Sequence, residues 1–183
     1  MTRRAAIDRF SEDLFEEAKR FLEKAASETT TAGRAAYLHA ALNLGFCALE
    51  AHINSITSDF ELREDLNVLE RSILFERDFE LRDGAFHLTQ RLKIYRPEDR
   101  LQYICHKFAG KPVDRRAVWW CRLNAGLALR NKVTHPKGFT EITVDDVRRS
   151  LEAVLQAIDK LYRAVYKRGY PALKRGLQST LDF

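Results

Sequence analysis

The sequence predicts an all-α protein, an up-and-down bundle of four to five long helices that forms one domain over residues 1–183. Two observations predict this fold class. Apolar residues recur at steps of three and four along most of the chain, and no alternating strand pattern of useful length appears. The 183 residues also include only 4 Pro and 8 Gly and are 45% hydrophobic, so long helices around a sizeable core are expected.

Three helices are expected in the first half of the chain. The first covers residues 3–28, where one face is apolar and the other is charged. The second runs from about Ala35 to Thr57 and is apolar on most sides, so we expect it at the centre of the protein. The third covers roughly Glu64 to Arg77.

The middle of the chain is less regular. The sequence Asp-Gly-Ala-Phe at 83–86 indicates a turn, and short helical pieces are expected from 87 to 110. Within them, Pro97 is predicted as the first residue of a helix, because proline lacks an N–H that the first turn does not need. A fourth long helix is predicted over 115–134, with Asp114 as its N-cap.

The last long helix is predicted to begin after Thr143, whose hydroxyl would cap it, and to contain acidic residues in its first turn. Gly169 and Pro171 are expected to end it. The basic tail, residues 167–183, is expected to pack on the helical core or flank it, most simply as a solvated helix end rather than a phosphate-binding segment.

Charge and cysteine content bear on the partners and the cellular location of the protein. The net charge of +5, with a pI near 9.2, is compatible with a nucleic-acid partner but is weak evidence for one. The cysteines (Cys47, Cys105 and Cys121) are widely spaced among apolar residues, so we expect buried thiols, no disulfide framework and a reducing, cytoplasmic location. No apolar run resembles a signal peptide or is long enough to span a membrane.

Common catalytic motifs are absent from the sequence. It contains no glycine-rich phosphate loop, no GxSxG, no HExxH, no paired CxxC and no calcium-loop spacing. We therefore expect neither a cofactor nor a metal site.

The second helix carries a stripe of polar residues, which is unusual on an otherwise apolar helix. The steps between them are 4, 7 and 4, which return to one helix face: His39, Asn43, Glu50 and Asn54. Buried amides and carboxylates need hydrogen-bond partners, so the stripe either faces water or pairs with a neighbouring helix.

The fourth helix has a matching stripe. Asn124, Asn131 and His135 are separated by 7 and 4 residues and share a face, while Arg130 lies beside Asn131. Glu50 on the second helix is a natural partner for Arg130 or His135, because a carboxylate would orient either side chain and tune the imidazole.

The segment Arg130-Asn131-x3-His135 resembles the Arg-x4–6-His motif of HEPN domains. The motif stands at the end of a long helix, a short loop with Pro136 and Gly138 follows, and then a last long helix. The helix "AAYLHAALNLGFCALEAHIN" is similar to the early core helix of that superfamily. The resemblance covers roughly residues 34–166.

This resemblance implies a metal-independent endoribonuclease. A histidine can take the proton of the 2′-hydroxyl group, and an arginine can stabilise the charge that develops on the phosphorane. Arg130 and His135 would be this pair, in a homodimer whose two motifs face a shared cleft. The residues that would support or bind around them are Glu50, Asn54, Asn124, Asn131, Thr134 and Lys137.

Several alternatives remain open from the sequence. The enzyme would be a toxin or a phage-defence effector, with RNA as substrate and an antitoxin or other protein as a possible partner. Toxins with a nucleotidyltransferase antitoxin tend to carry Arg-x4-His-x-Tyr, and Lys137 stands at the tyrosine position. A catalytically silent HEPN-type module that binds RNA, a nucleotide or a protein is the main alternative. A purely structural bundle, with Arg130 and His135 only capping a helix, is the third.

Overall fold

The computed structural model describes the backbone of residues 3–183 and the side chains of residues 9–183, so Met1 and Thr2 of the predicted domain lie outside it. The chain is mostly helical, at 63%, with a small two-stranded sheet. The described part contains six α-helices: α1 (Arg3–Ser27), α2 (Thr31–Ser58), α3 (Val68–Phe75), α4 (Pro97–Ala109), α5 (Val118–Thr134) and α6 (Val144–Tyr166).

Helix α2 lies at the centre, as its apolar sequence predicted, and contacts the five other helices. It packs tightly on α6 at Gly45, where a Cβ atom would overlap Cδ2 of Leu151. Helix α5 also packs closely on the core, because a Cβ on Gly126 would lie 2.8 Å from Oγ of Ser150. These two glycines permit backbone approaches that a larger residue would prevent. Gly45 thus permits the close spacing of α2 and α6, and Gly126 permits the close spacing of α5 with α6 and α2.

The structure confirms two predicted helix starts. Pro97 is the first residue of α4, and Thr143 caps α6. The Thr143 hydroxyl accepts the backbone N–H of Asp146, and the Asp146 carboxylate accepts the backbone N–H of Thr143. This reciprocal pair satisfies two N–H groups that the helix leaves unbonded.

Other predicted boundaries are wrong. Helix α3 is shorter than 64–77, because Asn67 forms a capping box with Glu70 and Glu76 ends the helix in a left-handed conformation. Asp114 does not cap α5: its carboxylate accepts the N–H of Arg116 in a preceding turn, and α5 begins at Val118. Helix α6 ends at Tyr166, before Gly169.

The all-α prediction is also wrong for residues 77–92, which form a β-hairpin. Strand β1 (Arg77–Arg82) pairs antiparallel with β2 (Ala85–Leu92), so the helical pieces expected from residue 87 onward begin only at α4. Asp83 and Gly84 form the two-residue loop and both have positive φ, at 51° and 78°. An Asp-Gly pair favours this tight turn, whose twist matches that of the two strands.

The segment after α6 returns along α1. Its backbone is held by side chains of α1: the Lys19 ammonium donates to the Gln178 carbonyl, and the Arg20 guanidinium donates to the Phe183 carbonyl. In the other direction, the backbone N–H of Thr180 donates to the Glu16 carboxylate. The tail therefore packs on α1, and it is not the helix end that the sequence suggested, because α6 ends at Tyr166.

The cysteines and the helix lengths bear on the predicted setting. All three thiols are free, but only Cys105 is buried, while Cys47 and Cys121 are exposed and correct the expectation of three buried thiols. Residues 9–183 include no helix with enough length and apolar character to cross a membrane.

Candidate active site

Arg130 and His135 lie on the last turn and at the C-cap of α5, where the helix passes over α2. The Arg130 Nη2 atom donates to Oε1 of Glu50 at 3.1 Å, the pairing that the two polar stripes predicted. The guanidinium also lies 5.9 Å from the ring centroid of Phe46, within the range of a cation–π contact. Its buried Nε atom has no hydrogen-bond partner among the described residues. Glu50 and Phe46 thus hold the Arg130 guanidinium in place.

A cavity of about 540 Å³ opens beside this ion pair, between α2, α4 and the end of α5. We call it the acid-lined cavity, because three carboxylates line it: Glu50, Glu76 and Glu98. Arg130 and His135 also line it, together with Asn131. The two motif residues therefore share one cavity, although five positions separate them in the sequence.

The electrostatics of the acid-lined cavity act on Glu50. Burial raises the pKa of Glu50, Arg130 and Arg100 lower it, and the neighbouring Glu76 and Glu98 add to the increase. The net effect is a pKa above the usual value for glutamate. Protonation of Glu50 would release Arg130 from its ion pair, so the charge on this carboxyl controls how firmly Arg130 is held.

Arg100 forms the inner wall of the acid-lined cavity and is almost fully buried. Its Nη1 donates to Oδ1 of Asn54 at 2.8 Å and lies 2.9 Å from Oε2 of Glu76. Its Nη2 donates to the carbonyl of Leu74. Arg100 thus ties α4 to α2 and α3, which is a structural role.

A second cavity of about 630 Å³ lies on the other side of His135, along the outer surface of α5 and the loop that follows. We call it the basic cavity, because Lys132, His135 and Lys137 line it and none of its lining residues is acidic. Phe139 completes its wall with a ring that is 95% exposed. Asn131 and His135 line both cavities, so the two meet there.

The structure does not bring all predicted site residues together. Asn54 binds Arg100 at the inner end of α2, and the Asn124 amide donates to the Trp120 carbonyl one turn earlier on α5. Neither lines a cavity that contains His135. Thr134 donates its hydroxyl to the carbonyl of Arg130, which closes the last turn of α5. The polar stripe of α2 therefore serves several separate contacts.

Sequence reasoning missed four residues of the site. Glu76 caps the end of α3, and Glu98 and Arg100 belong to α4, and nothing in their local spacing indicates that they converge on Glu50. Phe139 follows Gly138 in the loop after α5, and its exposure depends on how that loop packs. A signal was present for the loop alone, since two lysines and a phenylalanine lie within eight residues, at Lys132, Lys137 and Phe139.

The described side chains contain no group of three or more His, Cys, Asp or Glu residues placed to hold a metal ion. Comparison with known proteins adds nothing further: no family model, no curated protein and no solved structure matches this chain.

Proposed function

We propose that this chain is a HEPN-type helical bundle that cleaves RNA without a metal ion, with Arg130 and His135 as the catalytic pair. One observation carries the proposal. The two motif residues line the same cavity, and Glu50 from α2 holds the Arg130 guanidinium at its edge. The carboxylate on α2 fixes the position of a guanidinium that would otherwise be free to move at the end of α5.

The chemistry assigned to this pair is transesterification of the RNA backbone. His135 accepts the proton of the 2′-hydroxyl group, whose oxygen attacks the adjacent phosphorus. The bond from phosphorus to the 5′-oxygen breaks, and that oxygen takes up a proton. Arg130 stabilises the extra negative charge on the phosphorane, because its planar guanidinium matches two phosphate oxygens. The products are a 2′,3′-cyclic phosphate and a 5′-hydroxyl end.

One histidine per chain cannot act as base and acid at once, so the proposal includes a homodimer with a composite site. The outer face of α5 supports it. Val118, Cys121, Ala125 and Ala128 follow one another at steps of three and four, and all four are exposed. Such a stripe of apolar and small residues suits helix-to-helix packing against a second copy. It leads along α5 towards the motif.

A toxin or phage-defence role is the biological setting that this activity would fit, with a protein antidote as partner. Lys137 lies in the basic cavity at the position where one class of antitoxin modifies a tyrosine. That class of antidote therefore has no target at this position.

A second function is favoured by the charge balance of the acid-lined cavity. Glu50, Glu76 and Glu98 are each paired with an arginine, so this cavity offers a phosphate no net positive charge. A catalytically silent HEPN-type module, which binds RNA, a nucleotide or a protein through the same surface, fits this feature. The two functions differ in whether RNA is cut.

The decisive experiment is RNA cleavage in EDTA with transfer RNA and messenger RNA as substrates. We expect wild-type protein to leave 2′,3′-cyclic phosphate ends, and Arg130→Ala and His135→Ala to lower the rate by about 100-fold or more. Arg82→Ala on β1 and His106→Ala on α4 are matched controls, because both side chains are exposed and lie outside the two cavities and the α5 stripe. They should cleave at the wild-type rate.

Gel filtration of the same preparations tests the composite site. A dimer that cleaves supports it, whereas a monomer with full activity contradicts it. Wild-type protein that binds RNA but leaves it intact would favour the silent module, and cleavage that persists in both motif variants would place the active site elsewhere.

A further inference from the structure

We infer that the basic cavity is a subsite for single-stranded RNA, in which Phe139 stacks on a base while Lys132 and Lys137 contact the backbone phosphates. This inference rests on the proposed function and deepens it, because it states on which side of His135 the RNA strand lies. It also assigns a binding role to Phe139, which no part of the catalytic motif requires.

The charge on the two sides of His135 decides the direction of the strand. In the acid-lined cavity each of the three carboxylates is paired with an arginine, so the lining charges balance, whereas the basic cavity presents two lysines beside His135 and no acid among its lining residues. A polyanion gains free energy from cations along its path and loses it near carboxylates. The strand therefore enters the site along Lys132 and Lys137, not past Glu76 and Glu98.

Phe139 provides the contact that a surface of lysines alone would lack. Its ring is 95% exposed, so almost none of its apolar area is buried in this structure. The ring lines the same cavity as the lysines, in the middle of the loop that joins α5 to α6. Proteins that bind single strands combine such aromatic platforms with a positively charged groove, because every base has a face that stacks.

The basic surface continues beyond Phe139. A third cavity, of about 720 Å³, shares Lys132, Gly138, Phe139 and Thr140 with the basic cavity and extends to the start of α2. Arg34 and His39 line this extension, and Glu141 is the one carboxylate in its lining. His39 of the α2 stripe thus belongs to this surface and not to the Glu50 pair. A strand bound at Phe139 has cationic groups available on both sides of the stacked base.

The test is binding of a 12-nucleotide, mixed-sequence, 2′-O-methyl RNA labelled with fluorescein, measured by anisotropy. This probe has no 2′-hydroxyl group, so the wild-type protein cannot cleave it and binding is measured apart from catalysis. We expect Phe139→Ala to weaken binding by about 5- to 100-fold, the range that the loss of one stacked base gives. Phe139→Trp should restore it. Lys132→Ala and Lys137→Ala should each reduce the salt dependence, by about 0.7 in the slope of log K against log salt.

Phe10→Ala is the matched control, because Phe10 is 60% exposed and lies outside the basic cavity. It should bind the probe as the wild type does. Phe139→Ala binding within twofold of the wild type would overturn the inference, as would a change in its oligomeric state by gel filtration, which would make Phe139 a protein contact. Binding that depends on Phe139 in a protein that cuts no RNA would retain this subsite and refute only the ribonuclease.

Discussion

The two cavities that meet at His135 differ in how their charges are used. In the acid-lined cavity nearly every charged group has a partner: Glu50 binds Arg130, Glu76 binds Arg100 and Glu98 binds Arg96. In the basic cavity, Lys132 and Lys137 form no ion pair within 4.0 Å with any described side chain. The charges of the acid-lined cavity neutralise one another, whereas the basic cavity has positive charge available for a ligand.

This difference suggests separate roles for the two sides of the site. Paired charges on α2, α4 and α5 hold the helices and the Arg130 guanidinium in place. A ligand that binds one of these charges has to compete with the partner that it already has. An unpaired lysine in the last turn of α5, Lys132, and another on the loop after it, Lys137, attract anions over a Debye length of about 8 Å at physiological salt. The paired charges therefore position the helices and Arg130, and the unpaired lysines are available to an anionic ligand.

The largest expected effect is from Arg100→Met, which removes the central cation of the acid-lined cavity. Glu76 then loses its partner, and the carbonyl of Leu74 and the amide oxygen of Asn54 lose a donor. We expect the free energy of unfolding to fall by about 3 kcal/mol, as measured by urea denaturation.

Arg96→Met is the control for this change, because Arg96 lines the same cavity but its side chain is 75% exposed in its pair with Glu98. It should cost less than about 1 kcal/mol. An Arg100→Met protein of wild-type stability that no longer binds RNA would reverse the comparison, since Arg100 would then be a ligand-binding residue.

Local patterns in the sequence predicted the helices and the ion pair but not the cavity. Periodicity predicted the helices α2, α5 and α6. The polar stripes predicted that Glu50 pairs with Arg130 or His135, because helix faces follow from residue spacing. The hairpin was missed although Asp83-Gly84 is a strong turn signal, because the flanking strands are charged and alternate poorly. The convergence of Glu76, Glu98 and Arg100 on Glu50 depends on tertiary packing, which spacing along the chain does not encode.

A smaller effect is expected from charge reversal on the two sides. Lys132→Glu replaces a cation of the basic cavity by a carboxylate and should weaken binding of the 2′-O-methyl RNA by roughly tenfold at 0.1 M salt. Arg96→Glu makes the same change in net charge on the acid-lined side, where we expect less than a twofold change. Equal losses for the two variants would show that RNA responds to the net charge of the protein and not to the basic cavity.

The smallest effect concerns Glu50 and runs against the usual expectation for an ion pair. Burial raises the pKa of Glu50 in the folded protein above the usual value for glutamate, so its ionised form is less favourable there than in the unfolded chain. The resulting cost is fully present at a pH above the folded-state pKa and disappears as the pH falls through about 4.5. Because the side chain is 44% exposed, solvent screening keeps this cost small.

Glu50→Gln removes this cost, and its amide oxygen can still accept from Arg130. We therefore expect the variant to equal or exceed the wild type in stability at pH 7.5, by less than about 1 kcal/mol, and to lose that advantage at pH 4. Urea denaturation at the two pH values measures the difference, and a variant less stable than the wild type at pH 7.5 would show that the ion pair with Arg130 outweighs the burial of Glu50 beside Glu76 and Glu98.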